Sequence, residues 1–404
     1  MDMLQLYRAA VWIHLKPYKL PFDLDAGRGI LNASYMSAYI DHDEGWFSAR
    51  YGQQVYLADL FRYFRTFEVT DSRDCVYALL GLSGWESRGE ALPAFITPDN
   101  HSPLGDILRD ATKMAMRESG DLWIFRYIEH GYELTAPALQ HTETPSWVPS
   151  LFRQPDLKTE PNHMRSAFRA NLGMKEMTQN IAGKEAGFET SGDLDVLSVQ
   201  GLVVDAVNAV GRVFPPECFD GVEGIEAIVH KVLISRCLQG GHENEALVRL
   251  SLLDLGLDIV GGSSFDPQPM QNHVGQSDIF PQFIQAICKI AGGSQDLKSD
   301  YDPAGLKSTL ENPNFSRCVW AIKYACLNRR LFTTADGYVG LGPQAMRESD
   351  SLCILSDSRL PMILRQSGTD WNVLGPCFAH GVMYGEAVRQ RLESGGAVKY
   401  FDLR

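Results

Sequence analysis

The stretch that follows residue 331 constrains the fold of this 404-residue chain most. Short apolar segments, Phe332 to Thr334, Tyr338 to Leu341, Leu352 to Leu355, Met362 to Leu364 and Trp371 to Ala379, are separated by Asp-Gly, Gly-Pro, Ser-Asp and Ser-Gly turn pairs. Segments this short cannot bury a helical face, and each turn pair reverses the chain, so residues 331–404 are expected to form a small antiparallel β-unit.

The chain ahead of it changes period. Leu57, Leu60, Phe61 and Phe64 recur at helical spacing, and a second helix is expected from Asp71 or Ser72 to Gly81 or Gly84. Ser102 before Pro103 signals an N-cap for a helix carrying Leu104, Ile107, Leu108, Ala111 and Ala115 on one side, and a further short helix is expected over 121–128. Prolines at 137, 145, 149, 155 and 161 mark an extended connector, followed by a poorly periodic loop to about 192. Leu194 to Val204 is β-rich around Gly201, and helical patterns follow at 225–232, 280–288 and 315–326, with a loop at 261–275. The expected architecture is mixed α+β, with helical bundle regions packed on small antiparallel β-units. Its expected parts are a mainly helical region at 1–150, a connector at 151–192, a strand-plus-helix region at 193–330 and the β-unit at 331–404, together forming one compact body.

Charge and composition exclude several functions. The 37 basic and 50 acidic residues give a net charge of −13, and no run of Lys and Arg offers a basic face, so no nucleic-acid partner is expected. No uninterrupted apolar run reaches the roughly 18 residues that span a bilayer, and Leu4 to Leu15, broken by Arg8 and His14, is not closed by a cleavage site. A soluble cytoplasmic protein is therefore expected. The 8 cysteines are scattered without a C-x-x-C pair, which fits reduced, buried thiols. Gly337, Gly340 and Gly342 run in the wrong order for a dinucleotide loop, and no two histidines have metal-ligand spacing, so neither cofactor nor metal is expected.

Three stretches go beyond periodicity. Asp71-Ser-Arg-Asp-Cys-Val-Tyr-Ala-Leu-Leu-Gly-Leu82, Pro145-Ser-Trp-Val-Pro149, and Thr334-Ala-Asp-Gly-Tyr-Val-Gly-Leu-Gly-Pro343 continued by Asp350, Leu364-Arg365 and His380-Gly-Val-Met-Tyr-Gly-Glu386 occur in this order. Together they resemble the fungal heterokaryon-incompatibility (HET) domain family over about residues 55–390. The sequence departs from that pattern at Ser72, where proline is usual, at Ser349, where glycine is usual, and at Phe378, where tyrosine is usual. The family's S-Y-x-W-G-like strand and I-D-x-x-C-I-N-Q-like helix are not found. The resemblance thus implies the C-terminal body of such a protein without the usual N-terminal effector half.

The candidate chemistry is sparse. His380 and Glu386 are a base and acid pair, on one face if a single strand carried both, although Gly381 and Gly385 favour a turn between them. Arg73 and Asp74 at a helix start suit either a cap and ion pair or an anchor for an anionic group. Trp123, Phe125, Tyr127, Tyr132 and Trp147 gather around the connector, as core or as the wall of an apolar pocket. Trp123, Tyr127, Trp147, Arg73 and Asp74 are therefore candidates for substrate binding, and His380 and Glu386 for catalysis. Two functions follow. One is binding or conversion of a small apolar metabolite, as by a cofactor-independent cyclase of the pericyclase (Diels–Alderase) type in terpenoid or polyketide biosynthesis, since such a reaction needs orientation and leaves no motif. The other is recognition or regulation through a protein partner.

Overall fold

A computed structural model describes residues 57–64, 71–82, 99, 101–130, 144–149, 168–174, 188–190, 193–215, 282, 286, 303–315, 326–395 and 397–404. The fold is mixed α and β. Helices α1 (Leu57–Phe64), α2 (Asp74–Leu82) and α3 (Leu104–Ser119) come first, followed by a 3₁₀ turn at Trp123–Tyr127. Strands β1 (Phe188–Thr190) and β2 (Leu197–Val213) precede helix α4 (Pro303–Glu311). The remainder is β3 (Arg329–Thr334), β4 (Val339–Pro343), β5 (Ser351–Leu355), β6 (Met362–Ser367), β7 (Asp370–Pro376), β8 (Phe378–Ala379), helix α5 (Glu386–Glu393) and β9 (Lys399–Leu403).

Five strands close on themselves. In the order β5, β6, β7, β9 and β2, each pairs with the next, and β2 returns to β5, forming a barrel with no open edge among these strands. All of these pairings are antiparallel except β7 with β9, which touch in parallel through Trp371 and Leu403. β2 makes closure possible because it is long enough to serve several partners. Its first half pairs with β1 and β9, its middle with β5 and its last third with β3, which leads on to β4 and β8. At Gly201, opposite both Leu355 and Lys399, a Cβ would stand 2.6 Å from the Ile354 carbonyl oxygen, so the crossing of three strands is open only to glycine.

Strand alternation sorts the apolar residues into two cores. Cys353, Leu355, Met362, Leu364, Val373, Phe401 and Leu403 join α1 to α3, the 3₁₀ turn and Trp147 in one buried cluster. Leu352, Ile354, Ile363 and Leu374 face the other way, onto Met174, Ala387 and Val388. The second face also contains a buried ion pair. Arg365 Nε donates to Asp350 Oδ1 (2.7 Å) and its Nη2 to Asp350 Oδ2 (2.9 Å) and the Ala345 carbonyl (2.9 Å), with both side chains almost wholly enclosed.

The expected helices at 57–64 and behind Asp71 are present, with Leu57, Leu60, Phe61, Val76, Leu79 and Leu80 buried. The cap of α3 differs from expectation. Pro103 occupies the capping position, and the Ser102 hydroxyl turns back to Asp99 Oδ2 (2.8 Å). The short helix expected at 121–128 is the 3₁₀ turn. The connector, expected to be extended, turns at 145–148, where the Val148 N–H donates to the Pro145 carbonyl (3.0 Å). Within the expected loop, residues 168–174 form a strap whose Phe168, Ala170 and Met174 are buried. β2 runs well beyond residue 204, and α4, α5 and β9 were not expected. Of the helical bundle, the described residues contain three helices in mutual contact. The patterns at 225–232 and the loop at 261–275 lie outside the described residues, as do 280–288 apart from 282 and 286, and most of 315–326.

Removing one member of a buried, fully bonded ion pair strands the other, at a cost of about 3–5 kcal/mol. Arg365→Met is therefore expected to lower the unfolding free energy by that amount in chemical denaturation, whereas Arg389→Met, on the exposed side of α5, should change it by no more than about 0.5 kcal/mol.

Candidate functional site

Residues 380–385 turn the chain from the end of β8 to the start of α5, and this corner collects His380, Glu386 and Tyr338. The His380 N–H donates to the Val339 carbonyl (2.9 Å), anchoring the end of β8 to β4. The chain then turns through Gly381 and Gly385, at φ 77° and 82°, and Glu386 starts α5. His380 and Glu386 consequently do not share a strand, as those glycines suggested. Glu386 Oε2 accepts the Tyr384 N–H (2.7 Å), so this carboxylate fastens the turn leading into its own helix, at the end of the helix where negative charge is favoured.

The structure brings Tyr338 to the same corner. Its hydroxyl donates to Gln390 Oε1 on α5 (3.2 Å), and its ring edge would lie 3.9 Å from a Cβ at Gly381. Burial pushes the Tyr338 phenol up, and the charges of Asp336, Asp205 and Glu386 add to that, so the group stays protonated. Sequence reasoning missed Tyr338. It lies inside the Thr334–Pro343 motif, but a tyrosine beside an Asp-Gly turn gives no signal that it will reach a helix some fifty residues away.

Two large apolar side chains are exposed on this turn and on the segment that packs against it, Tyr384 at 41% and Leu172 at 59%. Phe168 supports Tyr384 edge to face at 5.7 Å between centroids and packs on Phe378 at 6.1 Å. The Arg169 N–H donates to the Met383 carbonyl (2.9 Å), tying the 168–174 strap to the turn. Gly385 sets how closely the two approach, because a Cβ there would meet the Leu172 carbonyl oxygen at 2.7 Å and its Cβ at 2.8 Å.

The other sequence candidates lie elsewhere. Trp147 is fully buried in the helix-facing core, its indole N–H donating to the Asp195 carbonyl (3.0 Å) and Lys113 Nζ standing 5.6 Å from its ring centroid. Its neighbour Ser146 donates to the Arg404 carbonyl and accepts the Val373 N–H (2.9 Å), which makes the Pro145–Pro149 segment a strut between β7 and the residue after β9. Trp123 and Tyr127 share the 3₁₀ turn with Arg126, whose guanidinium lies 4.0 Å from the Trp123 centroid and 5.7 Å from that of Tyr127.

Arg73 closes a fork on Asp71, with Nε at 3.0 Å from both carboxylate oxygens and Nη2 at 2.6 Å, and Asp74 is the first residue of α2. Cys75, Cys326, Cys353 and Cys377 are free and buried, and burial pushes their thiols up, to about 11 for Cys75 and about 12 for Cys326. They are poor nucleophiles at neutral pH. Among the described residues no helix is long and apolar enough to cross a membrane.

Residues 296–394 match the sequence profile of the Het-6 beta-barrel domain. The match takes in the β8–α5 corner and the hairpins from β3 to β8, and leaves outside it β2 and β9, which close the barrel. No curated protein and no solved structure matches the chain.

The Arg73 fork holds the Asp71 carboxyl down at about 2, from an ordinary 3.8. Since the folded value is the lower one, the pair favours the folded state above the ordinary carboxylate range, and that contribution is lost as pH falls through about 2. Carboxyl-carbon NMR should show Asp71 titrating near 2, and moving up toward 3.8 without reaching it in Arg73→Ala, which removes the guanidinium fork and keeps the backbone N–H of residue 73 on the carboxylate.

Proposed function

We propose that the chain is a recognition protein of the heterokaryon-incompatibility type that acts through a protein partner docking on the β8–α5 corner. The observation that supports this reading is the exposure of Leu172 and Tyr384 on two segments that meet at Gly385 and are fixed by hydrogen bonds and by that close approach. Large side chains already held in place lose little entropy when a partner covers them, which is the character of an interface anchor. The polar rim supplied by Tyr338, Gln390 and Glu386 suits orientation of such a partner. The Het-6 beta-barrel match agrees with a body of this kind.

A second reading uses the same corner for conversion of an apolar metabolite, as by a cofactor-independent cyclase. Its motivation is that a protonated Tyr338 stands with His380 and Glu386 beside an apolar surface, where a hydroxyl could polarise a carbonyl while shape sets the reacting geometry. In this reading Trp123, Tyr127 and Trp147 act through the core and not through contact with the substrate.

One comparison separates the two. The tagged full chain is recovered from its host as wild type, as the Leu172→Asp/Tyr384→Asp double variant and as His380→Ala, and the bound proteins are quantified. A partner that falls at least tenfold with the double variant and is unchanged by His380→Ala is the expected result; equal recovery from all three overturns it. Incubation with terpenoid and polyketide intermediates, followed by product analysis, addresses the second reading, for which turnover lost in His380→Ala is the expected outcome.

A further inference from the structure

Away from that corner, the 3₁₀ turn and the loop between β5 and β6 build a cationic ladder that neither reading employs. Arg359 and Arg126 both lie over the Trp123 indole, their guanidinium carbons 5.0 and 4.0 Å from its centroid, and Arg126 continues the ladder to the Tyr127 ring. The backbone that presents Arg359 is clamped on both sides, because the Asp357 carbonyl accepts the Leu122 N–H (3.0 Å) and the Arg359 carbonyl accepts the Ala170 N–H (3.0 Å). The Ser356 and Ser358 hydroxyls bond to the Gln200 and Leu360 carbonyls.

The guanidinium of Arg359 is placed with care and yet makes no hydrogen bond among the described residues. Its nearest carboxylate, Asp121, spends Oδ1 on the Trp123 N–H (3.0 Å) and leaves Oδ2 at 3.7 Å from Nη2, beyond hydrogen-bond reach. Arg169 stands close enough that the Arg359 charge, after burial, lowers its affinity for a proton, with Asp121 opposing. Three guanidiniums thus share a neighbourhood with the Asp121 carboxylate in a chain of net charge −13. At the inner end of the ladder the Tyr127 hydroxyl, on a residue 7% exposed, has no hydrogen-bond partner among the described residues. A buried hydroxyl without a partner is a standing cost, and a fold that keeps one calls for a reason.

We propose that this ladder is a binding site for an oxyanion, the carboxylate or phosphate group of a small ligand. Arg359 gives that group a two-pronged hydrogen bond, Arg126 and Arg169 supply further positive charge, and Tyr127 supplies a neutral donor. A guanidinium stacked on an indole keeps its N–H edge in plane and free for planar, forked recognition, which a lysine cannot provide. An entering oxyanion relieves the repulsion between Arg359 and Arg169 and takes over from the loose Asp121 contact.

The test titrates the full chain with inorganic phosphate in one arm and sodium succinate in the other, at constant ionic strength, reading thermal stability and binding calorimetry. Saturable binding is expected in at least one arm, and the arm that saturates names the group. Affinity should fall at least tenfold in Arg359→Ala and severalfold in Arg359→Lys, rise severalfold in Asp121→Asn, and stay unchanged in Arg389→Ala. Tyr127→Phe should raise the melting temperature while weakening binding about threefold. The lysine and asparagine variants carry the test if the alanine variant does not fold. Saturation in neither arm, or undiminished affinity in the Arg359 variants, overturns the site; undiminished affinity in Tyr127→Phe removes that residue from it.

Discussion

The barrel depends on the pair between Asp350 and Arg365, because it decides which way β6 faces. Arg365 shares its face with Ile363, and the carboxylate that meets it is delivered by the residue immediately before β5. Side chains alternate along a strand, so a slip of one residue between β5 and β6 would turn the guanidinium into the cluster of Cys353, Met362 and Leu364, away from its counter-charge. A buried pair of this kind need not add net stability against an apolar substitute, since desolvation offsets much of the attraction. Its effect here is on register, since one arrangement satisfies both charges and the neighbouring one satisfies neither.

Asp350 extends that effect to the rest of the sheet through its backbone. Its carbonyl accepts the Val207 N–H (2.8 Å) on β2, and its Oδ2 accepts the Arg347 N–H (2.6 Å), so β2, the β4–β5 loop and β6 converge on one residue. The preceding residue, Ser349, adopts φ 71° to bring the carboxylate into place. That conformation is the one glycine adopts without strain, which gives a physical reason for the glycine that the resembling family usually carries there. With β2 fixed in this way, Gly201 admits β5 and β9 on opposite sides, and Ser146 bridges β7 to the residue that follows β9.

How much of this could be read in the sequence varied with how local the cause was. The hairpins from β3 to β7 were legible because their turn pairs and apolar runs specify them within a dozen residues. β9 was not, because Lys399-Tyr-Phe-Asp-Leu403 offers only Phe401 and Leu403 to the core, and its partners lie some thirty and two hundred residues away. β2 beyond residue 204 is mostly exposed and built largely of small residues, Ala206, Ala209 and Gly211 between its valines, so little apolar bulk marked a strand that β3 stabilises. At the site, the turn at Gly381 and Gly385 was legible and its content only in part. Glu386 heads a helix whose face toward the core is little more than Ala387 and Val388, and Trp147 carries the residue type of a binding wall at a position that is all core.

The arginines show how the fold separates support from recognition. Arg365 and Arg329 are buried, and each donates to a carbonyl or carboxylate that the backbone brings to it, Arg329 to the Pro376 carbonyl (3.0 Å). Arg109, buried on α3, meets Asp106, Asp110 and Asp195 within 3.0 Å. In each case the N–H groups are spent inside the molecule, so what these residues provide is geometry. Arg359 is instead positioned by its contact with the Trp123 ring and by its own backbone, and neither uses its hydrogen-bonding edge. An arginine ordered through its face and not through its edge has lost the entropy of binding in advance while keeping the capacity to bind, which is what a preorganised anion site requires.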